Sequence, residues 1–129
     1  MLAVDTNLIV RYLVADDQEQ AARARTLINE NDVFVTVTVA LEVEWVLRSA
    51  YGYSTAQFIA AFTALSGLPG VSIEDVNAVR TALEWSRIGV DFADGLHLAR
   101  SQHCDAFITF DRGLTRDANR LGALKVRAP

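Results

Sequence analysis

Short apolar runs alternate with helix-patterned segments along the whole chain, and this alternation constrains the fold more than any other feature. Met1-Leu2-Ala3-Val4 opens the chain and Ala106-Phe107-Ile108-Thr109-Phe110 comes late in it; both read as buried strands. Further strands are predicted over Val33–Val37, Val71–Ile73 and Lys125–Arg127. Helical patterning covers Leu8–Val14, Gln18–Asn29, Val39–Tyr51, Thr55–Leu65, Glu74–Ile88, Phe92–His103 and Arg112–Leu121. Ser54 is placed to cap the fourth helix, and Gly67, Pro69 and Gly70 punctuate its end. Strands alternating with helices imply an α/β fold with a parallel sheet covered on both faces.

A chain of 129 residues, 51% hydrophobic and 22% charged, fits one globular domain with a substantial core, spanning residues 1–129. The longest uncharged stretch, Tyr51 to Ile73, is interrupted by Ser, Gly and Pro and does not read as a membrane span. Asp5 breaks the N-terminal apolar run before a signal peptide could form, so a cytoplasmic protein is expected. Cys104 is the only cysteine, which excludes an internal disulfide and a thiolate zinc site; its neighbours suggest a packed thiol. Tyr51, Tyr53, Phe58, Phe62 and Leu65 offer more apolar surface around one helix hairpin than a small domain readily buries, so a homodimer is expected.

The two outermost strand runs each end on an acid, Asp5 and Asp111. In open parallel sheets the ligand crevice lies outside the carboxyl ends of the strands, where both would sit. Glu42 and Asp94 would join them from helices, making four candidate metal ligands. Each has a plainer reading. Asp5 and Asp111 can cap the helices that follow them, and Asp91 can cap the helix in whose first turn Asp94 lies. Thr6 and Asn7 add polar groups beside Asp5 that look like supporting or water-positioning groups, and Thr109 adds a hydroxyl on the strand face that leads to Asp111. Gly95, after Asp94, would let backbone or ligand approach. His97 and His103 read as packed or surface residues rather than ligands.

Glu42 competes with Glu44 for the third-helix position. Glu44 has Arg48 one turn later and reads as a solvated ion pair. Glu42 has no such partner and projects among Thr38, Val39, Trp45 and Val46, where an unpaired carboxylate is costly unless a cation or hydrogen bonds compensate. It could also snorkel at the edge of that stripe.

A net charge of −4 argues against a simple electrostatic nucleic-acid binder. Acids that hold divalent cations, however, leave a site that a phosphate backbone can approach. Arg112, Arg116 and Arg120 form a stripe along one helix, either a solvated face or a phosphate-contacting ridge. Hard divalent cations prefer oxygen ligands, so an acid cluster without Cys or a His pair suits Mg²⁺ or Mn²⁺.

The patterns Val4-Asp5-Thr6-Asn7, Leu41-Glu42-Val43-Glu44-Trp45-Val46-Leu47, Asp91-Phe92-Ala93-Asp94-Gly95-Leu96-His97-Leu98-Ala99 and Thr109-Phe110-Asp111-Arg112 resemble those of PIN-domain ribonucleases of the VapC toxin type. The resemblance covers essentially the whole chain. It implies a three-layer α/β/α sandwich around a parallel sheet, Mg²⁺- or Mn²⁺-dependent cleavage of RNA, and a small antitoxin protein that blocks the acidic pocket. By motif, Asp5, Glu42, Asp94 and Asp111 are the acidic set, Asn7 and Thr109 are supporting positions, and Asp91 is a fifth acid of either role. Gly95 stands where an alanine is common.

Two other classes fit the residues less well. A receiver-type phosphoacceptor module has a similar size, but no Asp lies between Asp32 and Asp75 to be phosphorylated. A PIN fold that serves only as a binding partner has no use for four intact acids.

Overall fold

A computed structural model describes all residues, 1–129, and the chain forms two compact units, Met1–Val76 and Asn77–Pro129. Seven helices and parallel strand pairings make the fold mixed α/β, as the alternation of apolar runs implies.

In the first unit the order is β1 (Leu2–Ala3), α1 (Thr6–Val14), α2 (Gln18–Glu30), β2 (Val33–Val35), α3 (Val37–Tyr51), α4 (Thr55–Ser66) and β3 (Val71–Ile73). The strands form a parallel sheet in the order β1-β2-β3, with Leu2 opposite Val33 and Val33 opposite Val71. Two helices fill each crossover, the long connection that parallel neighbours require. Val33 and Val35 on the central strand are fully buried. The opening strand is not buried as expected. Leu2 is 45% exposed, because β1 is an outer, two-residue strand of this sheet. Gly70 leads into β3 where a Cβ would lie 2.9 Å from the Asn31 carbonyl oxygen, so only glycine fits without a shift.

The second strand stops at Val35, short of the expected Val37. The β-branched run Val35-Thr36-Val37-Thr38-Val39 has strand propensity, yet the Thr36 hydroxyl accepts the Val39 amide at 3.2 Å and starts α3 two residues early. The Val37 amide donates to Glu74 Oε1 at 2.9 Å, satisfying another N–H at that helix start. Glu74 is thereby held at the sheet end, which explains why the next helix begins later than the sequence pattern suggests.

Ser54 and Gln57 form a reciprocal capping box on α4. Phe58, Phe62 and Leu65, spaced at i, i+4 and i+7, share the face that α4 turns inward, and all three are buried. Tyr51 and Tyr53 are half-buried. The hairpin thus consumes most of its aromatic surface within the chain itself.

The second unit contains α5 (Val76–Arg87, starting at the boundary), α6 (Phe92–Ala99), β4 (Phe107–Ile108), α7 (Arg112–Arg120) and β5 (Val126–Arg127). Strands β4 and β5 pair in parallel, Phe107 opposite Val126. Val90, Leu98, Leu114, Ala118 and Val126 make its core, with Trp85, Phe107 and Leu121 packed on it. Helix α6 ends at Ala99, not His103. The Ser101 hydroxyl and the Gln102 amide take the carbonyls of His97 and Leu98 at 2.7 and 2.8 Å, replacing the backbone donors that would have continued the helix. Cys104 falls in the turns beyond and is exposed, contrary to the packed thiol expected. No helix is long and apolar enough to cross a membrane.

Replacing the fully buried Phe62 by Ala should cost about 3–5 kcal/mol, and Ser54→Ala about 1 kcal/mol through loss of the cap. Urea unfolding measures both.

Candidate functional site

In the first unit the acids are placed by a cap and a hydroxyl. The chain leaves β1, and Asp5 Oδ1 accepts the Leu8 amide at 3.0 Å, capping α1. Thr6, 6% exposed, donates its hydroxyl to Glu42 Oε1. Glu42, 36 residues away in sequence, is thus tied to the residue beside Asp5. Asn7 follows on the first turn of α1 and is exposed.

The environments of Glu42 and Glu44 are the reverse of those expected. Glu42 is exposed, while Glu44 is buried at 9% exposure. The inward stripe of α3 is Ala40, Val43, Glu44 and Leu47, and Glu42 lies roughly 200° round the helix from Glu44. The apolar neighbours that made Glu42 look buried belong to the outer face, where Trp45 is 59% exposed. Glu44 does pair with Arg48, its Oε1 accepting from Nε at 2.9 Å, but as a buried carboxylate and not a solvated one. What favours Glu42 as a site residue is therefore its bond to Thr6 beside Asp5, not a cost of burial.

In the second unit Asp91, Asp94 and Asp111 line one cavity of about 200 Å³, together with Gly113 and Asp117. Asp91 caps α6, its Oδ1 accepting the Asp94 amide at 3.1 Å. Asp111 caps α7 by accepting the Leu114 amide at 2.9 Å, and the Thr109 hydroxyl accepts the Asp111 amide at 3.0 Å, fixing the turn into the helix. Burial first, then the charges of Asp91 and Asp111, hold the Asp94 carboxyl above its ordinary pKa, while His97 acts in the opposite sense. Asp94 therefore feels both of the neighbouring acids. Gly113 gives Asp111 room: a Cβ there would stand 3.3 Å from Asp111 Oδ1.

Gly95 serves packing. It faces Ala82 of α5, and a Cβ added at this position would make ordinary contact at 3.5 Å, so alanine would fit and the approach there is by the α5 backbone. Asp117 was missed by sequence reasoning, although it follows Gly113 by four residues and Leu114 by three, the spacing that puts all three on one helix face. Arg112, Arg116 and Arg120 are exposed along α7, and Arg116 Nε donates to Asp117 Oδ1 at 3.1 Å.

No group of three or more His, Cys, Asp or Glu side chains stands close enough together to hold a metal ion. The cavity nevertheless presents only carboxylate ligands of the type that hard divalent cations take, and a cation would offset both the burial and the neighbouring charges that raise the Asp94 pKa. The donor chemistry fits Mg²⁺ or Mn²⁺.

No curated protein matches the chain. The family model described as the PIN domain matches residues 2–119, and with nearly its whole length so covered the protein belongs to the PIN domain family, whose members are generally nucleases.

Proposed function

We propose that this PIN-domain protein is a divalent-metal-dependent endoribonuclease that cleaves single-stranded RNA, and that it is the toxin of a VapBC-type toxin–antitoxin pair. The acid-lined cavity, with Asp94 pressed by Asp91 and Asp111, is the observation that supports the chemistry most. The toxin role and the antitoxin partner rest on the motif resemblance to VapC-type ribonucleases.

In this reading Asp5, Glu42, Asp94 and Asp111 hold Mg²⁺ or Mn²⁺. The bound ion supplies a water of lowered pKa and neutralises charge at the scissile phosphate. Asp5 and Asp111 each commit one oxygen to a helix amide and keep the second oxygen for the ion. Thr6 orients Glu42, and Thr109 sets the turn that aims Asp111. Asp91 is chiefly a cap that adds negative charge beside Asp94. No side-chain nucleophile is needed.

The purified protein should cleave single-stranded RNA in Mg²⁺ or Mn²⁺ and stop in EDTA; cleavage that persists in EDTA contradicts the reading. Thr6→Val, which removes the donor to Glu42, should lower metal affinity or activity by about 10–100-fold.

A second expectation follows from the sign of the Asp94 shift. Its folded-state pKa lies above the unfolded value, so the native state binds the extra proton between the two. The stabilising contribution is present at low pH and lost as pH rises through the folded pKa. In EDTA at pH 7, Asp94→Asn should therefore melt at or above the parent temperature, and the difference should close below about pH 4, where the carboxyl is protonated in both states. Thermal melts across pH check this, and Mn²⁺ should raise the melting temperature of the parent more than that of the variant.

A further inference from the structure

The first unit has a second cleft of different chemistry, about 290 Å³ in volume, between α1 and α2. Leu8 and Leu27 supply apolar wall, Asn7 and Gln20 supply amides, and Arg11 and Arg23 supply cations; no carboxylate lines it. In a chain of net charge −4, such a wall is a local exception that favours an anionic ligand.

Arg11 is fixed in place. Its Nε donates to Gln20 Oε1 at 2.6 Å, and one terminal nitrogen donates to Asp16 Oδ1 at 3.3 Å and to the Tyr51 hydroxyl at 3.2 Å. The N–H groups of its other terminal nitrogen remain for a ligand. Asp16 offsets much of the Arg11 charge, so Arg11 offers a rigid plane with donors more than a net charge. Gln20 has committed its carbonyl oxygen to Arg11, which leaves its NH₂ as donor. Arg23 is exposed and forms no ion pair, and so brings the uncompensated positive charge. Asn7 lies two residues after Asp5, which places one end of the cleft next to the Asp5 part of the proposed acidic set.

We infer that this cleft is a nucleotide subsite for single-stranded RNA beside the scissile bond. The base lies against Leu8, Leu27 and the Arg11 plane, the amides of Asn7 and Gln20 meet its edge, and the adjoining phosphate sits on Arg23. Unpaired RNA bases are commonly received in this way, by stacking on guanidinium planes and hydrogen bonding at their edges. The volume, just below the roughly 300–1,000 Å³ typical of small-molecule sites, suits a single nucleotide fragment. The inference rests on the nuclease reading and extends it to substrate selection.

The test is binding of a fluorescent single-stranded oligoribonucleotide in EDTA, by anisotropy across a salt series, with Arg23→Ala set against Arg25→Ala. Both remove one exposed positive charge from α2, but only Arg23 lines the cleft. Arg23→Ala should weaken binding, most at the lowest salt, and flatten the slope of log K against log salt by about 0.7, the value of one lost single-strand phosphate contact. Arg25→Ala should leave the slope unchanged. In Mn²⁺, Arg23→Ala should raise KM for RNA cleavage while kcat holds. If the two variants behave alike while the parent still cleaves RNA, the subsite is overturned and the nuclease reading stands; a cleft that receives a peptide would give this result. A parent that neither binds nor cleaves RNA overturns the nuclease reading and the subsite with it.

Discussion

Carboxylates at helix N-termini are the constraint on which the rest of the site depends. Asp5, Asp91 and Asp111 each accept a backbone amide at the start of α1, α6 and α7. Such a cap is worth about 1 kcal/mol, and the positive end of the helix dipole favours a negative charge placed there. In the cavity of the second unit these contributions help offset the charge of Asp91 and Asp111 beside Asp94. Capping and ligation look like alternatives in the sequence, yet a carboxylate has two oxygens and one suffices for the cap. The cap also fixes the side chain, so the second oxygen is aimed and not free to wander.

Asp94 shows the other side of this balance. It lies inside the first turn of α6 rather than at its cap, its amide spent on Asp91, and its carboxyl bears the burial and the charge of its neighbours. A group held above its ordinary pKa by its surroundings in a cavity is a recurrent mark of a functional site. Asp117, which lines the same cavity and pairs with Arg116, adds a carboxylate that no motif pointed to.

The positions of the strands and most helices were legible because apolar period and capping residues agree there: Ser54 caps α4, and Val71–Ile73 is β3 as read, although the other strands are shorter than their apolar runs. The sequence was harder to read where side chains compete with backbone. Thr36 turned a β-branched run into a helix start, and Ser101 and Gln102 ended α6 early. The α3 face was inverted because an exposed Trp45 made the outer side look like core, while Glu44 sits on the inner stripe with Arg48 as partner. Glu42 kept its place in the proposed set for a reason the spacing could not supply, a hydroxyl from Thr6 that only tertiary structure brings to it. Family membership was legible from the motifs because they pair each acid with its local frame of strand end, helix start and hydroxyl.

The central proposal is that Asp5, Asp94 and Asp111, with Glu42, bind a divalent cation. Titration of the protein with Mn²⁺, following free ion by its electron paramagnetic resonance signal, tests it most directly. Asn caps a helix about as well as Asp, so Asp111→Asn removes charge while keeping the cap. The account predicts saturable depletion of free Mn²⁺ by the parent, and its loss in Asp94→Asn and Asp111→Asn proteins that remain folded. Equal depletion by parent and variants, or none by the parent, would contradict it.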